Sequence, residues 1–145
     1  MSNHTFLFKP GQWIGEGKIS FSTSPDALRF YTKWIIEENH SGTIHCRQRV
    51  EMEDREEDIY NDFLIYNIEP TSFSIQLNSE LLGCLEGKGG IDTKSIAWEF
   101  RYFPELEGFE TYELLESGDY IIHAEYMSTE KYRTIIDGRL WKKNL

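Results

Sequence analysis

The feature that most constrains this chain is a period of two that runs almost without a break from residue 12 to residue 142. Apolar and polar residues alternate at 12–22, 28–38, 42–52, 59–68, 72–77, 81–87, 94–103, 109–115, 119–127 and 132–142. Successive side chains of a strand point to opposite faces, so this alternation predicts strands with one face buried, and almost nothing repeats at helical spacing. The joins are short and carry turn residues: Ser24-Pro25-Asp26, Asn39-His40-Ser41-Gly42, Glu69-Pro70, Asn78-Ser79-Glu80, Gly87-Lys88-Gly89-Gly90, 104–108, Ser117-Gly118-Asp119 and 128–131. Short joins make consecutive strands antiparallel neighbours, which is a meander. A twisted meander of about eight to ten strands removes its two exposed edges by closing on itself. The predicted fold is all-β, a closed antiparallel meander barrel forming one domain over residues 1–145.

The charge excludes some partners. Lys and Arg number 15 against 25 Asp and Glu, a net charge of -10, and this field repels nucleic acid backbones and anionic membrane surfaces. The first residues, MSNHTFLFKPG, lack the pattern of a secretory leader, and no apolar run reaches the length of a membrane span, so a cytoplasmic protein is expected. Cys46 and Cys84 lie inside strand-like segments, which fits reduced, packed thiols better than a disulfide framework, although one bridge between them stays open. A homodimer is compatible with the sequence.

The opening segment, KPGQWIGEGKISF, raises a question of its own. Gly15 and Gly17 fall on the face that Trp13 shares, where a core strand would normally carry side chains. Either they leave space inside the barrel, or they let the strand curl and approach another backbone closely. Both readings stay open.

The Gly-x-Trp at the head of this strand, Gly11-Gln12-Trp13, followed by an antiparallel meander of this length, resembles the calycin superfamily of lipocalin-like barrels. The resemblance implies that Trp13 plugs one barrel end and packs against a basic residue of the last strand, where Arg139 stands in Asp137-Gly138-Arg139-Leu140-Trp141. Fatty-acid-binding proteins of this superfamily carry a helix pair between their first two strands. Residues 23–28 are too few for one. The Trp-x-Gly-x-Gly pattern, Trp13-Ile14-Gly15-Glu16-Gly17, is similar to the opening of the nitrobindin group, whose haem is ligated by a histidine of the final strand. Residues 132–142 contain no histidine, so no cofactor is expected, haem being the alternative that this branch implies.

Residue chemistry narrows the candidates further. The four histidines, His4, His40, His45 and His123, form no pair at metal-ligand spacing, and no metal site is expected. His123 shares a strand face with Ile121, Glu125 and Met127, opposite Tyr120, Ile122, Ala124 and Tyr126; it is either a surface histidine or a base inside the lumen. In the third strand, Ile44, Cys46, Gln48, Val50 and Met52 are read as inward, leaving His45, Arg47 and Arg49 solvated. If the faces were reversed, Arg47 and Arg49 would clamp an anionic group, with Arg101 and Arg133 next in order. The run at 51–58 has six acids and one base but no glycine, so it reads as a solvated hairpin tip and not as a calcium loop. Phe30 and Trp34 share one face of the second strand, and Ile96, Trp98, Phe100 and Tyr102 one face of the seventh.

No catalytic motif is present, and GCLEGKGG at 83–90 reads as a strand end and turn. The ligand-binding candidates are therefore Gly15, Gly17, Phe30, Trp34, Arg47, Arg49, Trp98, Phe100 and His123, with Trp13 and Arg139 closing the barrel. The leading expectation is non-enzymatic binding of a small, largely hydrophobic ligand in the lumen, anionic if the arginines face inward. One alternative is an isomerase, cyclase or hydrolase acting on a hydrophobic substrate through His123, Glu99 or Arg49. The other is a protein-interaction module with a filled barrel and an apolar patch outside.

Overall fold

A computed structural model describes residues 4–80, 83–102, 106–128 and 133–144. The alternating segments form ten strands: β1 (Gly11–Phe21), β2 (Leu28–Ile36), β3 (Ile44–Met52), β4 (Ile59–Tyr66), β5 (Ser72–Ser79), β6 (Gly83–Ile91), β7 (Ser95–Tyr102), β8 (Leu106–Leu114), β9 (Tyr120–Ser128) and β10 (Arg133–Lys142). Each pairs antiparallel with the next, and β1 pairs with β10, so the meander closes into a barrel. The predicted ends at Leu81, Phe103 and Tyr132 lie outside the described residues, as do the predicted turn positions at Pro104, Thr129, Glu130 and Lys131.

Several boundaries differ from expectation; β5 runs on to Ser79, through part of the predicted turn Asn78-Ser79-Glu80. β6 runs on to Ile91, so the glycine-rich stretch after Leu85 is sheet and not turn. Its composition imitates a turn because Gly89 makes room for a neighbour: a Cβ there would overlap the Phe73 ring. β8 begins at Leu106, so the end of the predicted turn at 104–108 is also strand.

The inward faces make the core. Trp13, Trp34 and Trp98 are almost fully buried, together with Phe63, Phe100, Tyr112 and Tyr120. One end of the barrel is filled from outside the sheet. Residues 4–8 fold under it and bury Phe6 and Leu7 completely. The Phe6 ring meets Trp13 at 5.4 Å, Trp34 at 5.3 Å, Tyr112 at 5.0 Å and Tyr120 at 5.6 Å between centroids, mostly tilted or edge-on, the arrangement ring quadrupoles favour. His4 ties the segment down: its Nε2–H donates to the Asp92 carbonyl at 2.6 Å, which leaves Nδ1 to accept from the Tyr120 hydroxyl at 2.7 Å. Leu7 adopts a φ of 76°, a left-handed conformation costing about 1–3 kcal/mol that full burial of its side chain offsets.

The closing seam answers the question of the opening glycines. Gly17 stands opposite Gly138 in the β1–β10 register. A Cβ on Gly17 would overlap the Asp137 carbonyl and lie 2.6 Å from the Gly138 Cα; one on Gly138 would meet the Glu16 carbonyl and the Phe30 ring. The two strands pack backbone to backbone, which only glycine allows. At Gly15 the inward space is already held by Thr32 and Leu140. These glycines serve close approach and do not open the cavity.

Two outcomes are expected. Gly17→Ala, pressed against backbone that cannot rotate away, should lower stability in urea unfolding by about 1–3 kcal/mol; a variant as stable as the parent would show that the seam is not tight. Phe6→Ala should cost about 3–5 kcal/mol by the same measurement.

Candidate functional site

The barrel is not packed solid. Beyond the Phe6 plug, a cavity of about 350 Å³ runs toward the β1–β2 and β3–β4 hairpins. Its wall is mainly apolar, with Ile19, Phe30, Trp34, Phe63, Ile122 and Ile136 among its residues. Its floor is aromatic: Trp34 stacks on Phe63 and Trp98 on Tyr112, each with centroids 4.9 Å apart.

Apart from Ser79 and Thr134, two polar clusters interrupt this wall. The first is a relay built from one cross-strand rung, in which Trp34 stands opposite Gln48 and Gln48 opposite Asn61. The Thr32 hydroxyl donates to the Arg49 carbonyl at 3.0 Å, Gln48 Nε2 donates to Thr32 Oγ1 at 3.1 Å, and Asn61 Nδ2 donates to Gln48 Oε1 at 2.9 Å. The direction of the chain is forced. A backbone carbonyl only accepts, so Thr32 spends its single proton there and must accept from Gln48, which must then accept from Asn61. Asn61 Oδ1 is left as the free end, buried and without a partner, and Trp34 Nε1 is also buried without one.

The second group is Glu110 on β8. Its Oε1 accepts from the Tyr112 hydroxyl at 2.7 Å and its Oε2 from the Tyr126 hydroxyl. Trp98, its cross-strand neighbour, directs an indole N–H toward it from outside hydrogen-bonding geometry. Burial pushes the Glu110 carboxyl above its ordinary value, and the Tyr126, Tyr112 and Trp98 donors pull the other way without cancelling it. Burial and the adjacent carboxylate both push the hydroxyls of Tyr112 and Tyr126 well above the usual tyrosine range. Gly108 makes this arrangement fit, because a Cβ there would overlap the Tyr126 ring.

Of the residues named from sequence, Phe30 and Trp34 line the cavity, while Trp98 and Phe100 are buried in the barrel interior. Gly15 and Gly17 belong to the wall near the seam and do not line the cavity. Arg47, Arg49 and His123 face outward, because each lies on the strand face opposite the core residues. Arg47 pairs with Asp62 at 3.3 Å, and Arg49 with Glu51 and with Asp58 at 3.0 Å. His123 sits between Asp137 at 2.6 Å and Glu125 at 2.8 Å, and these acids raise its pKa, Asp137 the more strongly. Arg139 does not pack on Trp13. It stands opposite Glu16, on the outer face, and binds Asp119 at 2.7 Å, while Trp13 meets Phe6 and Tyr120 within. Cys46 is buried and Cys84 exposed, both as free thiols. The 51–58 run forms the β3–β4 tip, with residues 53–57 exposed.

Glu110 was missed from sequence, although it shares its strand phase with Tyr112 and Leu114. That phase, an acid in step with apolar neighbours, was the available signal. Among the described residues no histidine lines the cavity, so its donors do not fit a histidine-ligated haem.

No known protein-family profile and no curated protein sequence matches this chain. Solved structures do share its fold. The S-type phycobiliprotein lyase CPES from Guillardia theta superposes with a TM-score of 0.69 over 94% of this chain and 89% of that one, at 9% identity. Rv2717c from M. tuberculosis gives 0.70 over 95% and 93%, at 9% identity. EF1p2_mFAP2b, in a structure bound to DFHBI, gives 0.53 over 92% and 93%, at 11% identity. At these identities the likeness is one of fold alone.

A raised carboxyl pKa has a definite sign. The folded chain holds the Glu110 proton more tightly than the unfolded chain, so stability falls as pH rises above the ordinary value of 4.5. Glu110→Gln removes this dependence. The melting temperature of the variant should therefore gain on that of the parent from about pH 4 upward; parallel pH profiles would mean that the carboxyl is not desolvated.

Proposed function

We propose that this protein binds a small, largely apolar molecule in the lumen of its barrel. The observation that carries the reading is the cavity of about 350 Å³, apolar on its walls, closed below by an aromatic plug and supplied with only a few convergent polar atoms. Small-molecule sites commonly have this construction and a volume of about 300–1,000 Å³. One barrel of similar fold is bound to DFHBI and another is a phycobiliprotein lyase, which supports a small-molecule role for a barrel of this kind.

The other two readings are less well supported. The interaction module needs a filled lumen. The enzyme reading relied on His123, Glu99 and Arg49, and all three are turned away from the cavity. The anionic ligand rested on inward arginines and loses its basis with them.

Titration with a neutral solvatochromic dye tests the proposal. The dye should bind at one site with a blue-shifted emission, and Val50→Trp, which fills the lumen from β3, should weaken binding by at least about tenfold while the melting temperature is retained. Unchanged binding to the folded variant would move the dye, and the proposal, off the lumen.

A further inference from the structure

The polar atoms facing the cavity are not a balanced set. Among the described lining residues, none is Lys, Arg or His, and Glu110 is the one acid. Both Glu110 oxygens already accept from tyrosines, yet a carboxylate offers about four lone-pair directions, so accepting capacity remains. Across the lumen, the relay from the Arg49 carbonyl ends on Asn61 Oδ1, which can only accept. Among the described lining residues, Trp34 Nε1 is the donor atom left without any partner, while Gln48 Nε2 and Asn61 Nδ2 each keep a second N–H; Trp98 Nε1, behind the wall, is unpartnered as well. Beside Glu110 no cation stands among the described lining residues, so a ligand that compensates this carboxylate must bring the charge and its N–H.

Resting on the lumen-binding reading, we infer that the natural ligand is flat and apolar with a donor-rich nitrogen group, an amidine, an aminoheterocycle or a protonated ring nitrogen, held between Glu110 and Asn61. A positive charge placed there compensates a carboxylate that burial otherwise penalises, as the Tyr112 and Tyr126 donors do only in part. A neutral N–H donor satisfies Asn61 Oδ1, whose burial without a partner is otherwise a cost. An acceptor atom elsewhere on the ligand completes Trp34 Nε1. The approach agrees in sign. Met52 and Ile59, at the two ends of the β3–β4 connection, line the cavity, and the tip between them carries Glu53, Asp54, Glu56 and Glu57 beside Arg55, with Asp58 paired to Arg49. Its potential draws cations toward the lumen and repels carboxylates.

This polarity is opposite to the one that inward arginines would have given. Three compounds on one naphthalene skeleton, bearing an amidinium, a carboxamide or a carboxylate, test it by displacement of the neutral dye. The parent protein should bind the amidinium at least about tenfold more tightly than the carboxamide, and the carboxylate most weakly. In Glu110→Gln the advantage of the amidinium over the carboxamide, read as the ratio of the two affinities, should vanish. Preference for the carboxylate, equal binding of all three, or an amidinium advantage that survives Glu110→Gln would each overturn the inference. If the dye binds and none of the three displaces it, the lumen reading stands and the polarity assignment fails; if the dye does not bind either, both fall.

Discussion

The whole architecture depends on the seam between β1 and β10. An open sheet of ten strands would leave two rows of unpaired N–H and C=O groups, and closing it requires its first and last strands to meet along nine paired positions, from Trp13 with Lys142 to Phe21 with Thr134. Gly17 and Gly138 permit that meeting by removing both Cβ atoms where the backbones come closest. Once the seam is closed, the parity of every strand follows: each inward residue is opposed by inward residues on both sides, and a slip of one position would turn the entire core outward.

Closure makes a tube, and a tube has two ends that this chain treats differently. At one end Phe6 joins Trp13, Trp34, Tyr112 and Tyr120 into an aromatic knot, with Tyr120 held by His4; burial pushes the Tyr120 hydroxyl up to about 12. Toward the other end the aromatic layer stops and polar side chains enter the wall. A core selected for stability alone would have no reason to bury Glu110, Asn61 and the Trp34 indole N–H with incomplete partners, since each unsatisfied group costs free energy. The cost is concentrated around one cavity.

Sequence reading reached the strands and, in Phe30 and Trp34, part of the cavity wall, but not its polar groups, and the reasons are specific. The third strand was legible because Ile44, Cys46, Val50 and Met52 alternate cleanly with His45, Arg47, Arg49 and Glu51. Glu110 was not, because an acid within Phe109-Glu110-Thr111-Tyr112-Glu113 looks like one more surface charge in an acidic chain until the phase of β8 is known. The plug was overlooked for a related reason. Thr5-Phe6-Leu7-Phe8 is too short to alternate visibly, and nothing local shows that it folds under the barrel. Arg139 was placed by the resemblance to calycin barrels, which implies a basic residue of the last strand against Trp13, whereas β10 parity turns it outward to Asp119.

The sequence by itself determined the strands, their antiparallel succession and the closure, because a period of two and short turns are local properties that each segment carries independently. It also narrowed the role of the opening glycines to two. Only the tertiary structure decided between them, and only it assembled the site: Thr32, Gln48, Asn61 and Trp34 come from three strands, and Glu110, Tyr112 and Tyr126 from two more. Which side of the wall a residue occupies is set by cross-strand register, and register is a relation between distant segments that no single stretch of the chain contains.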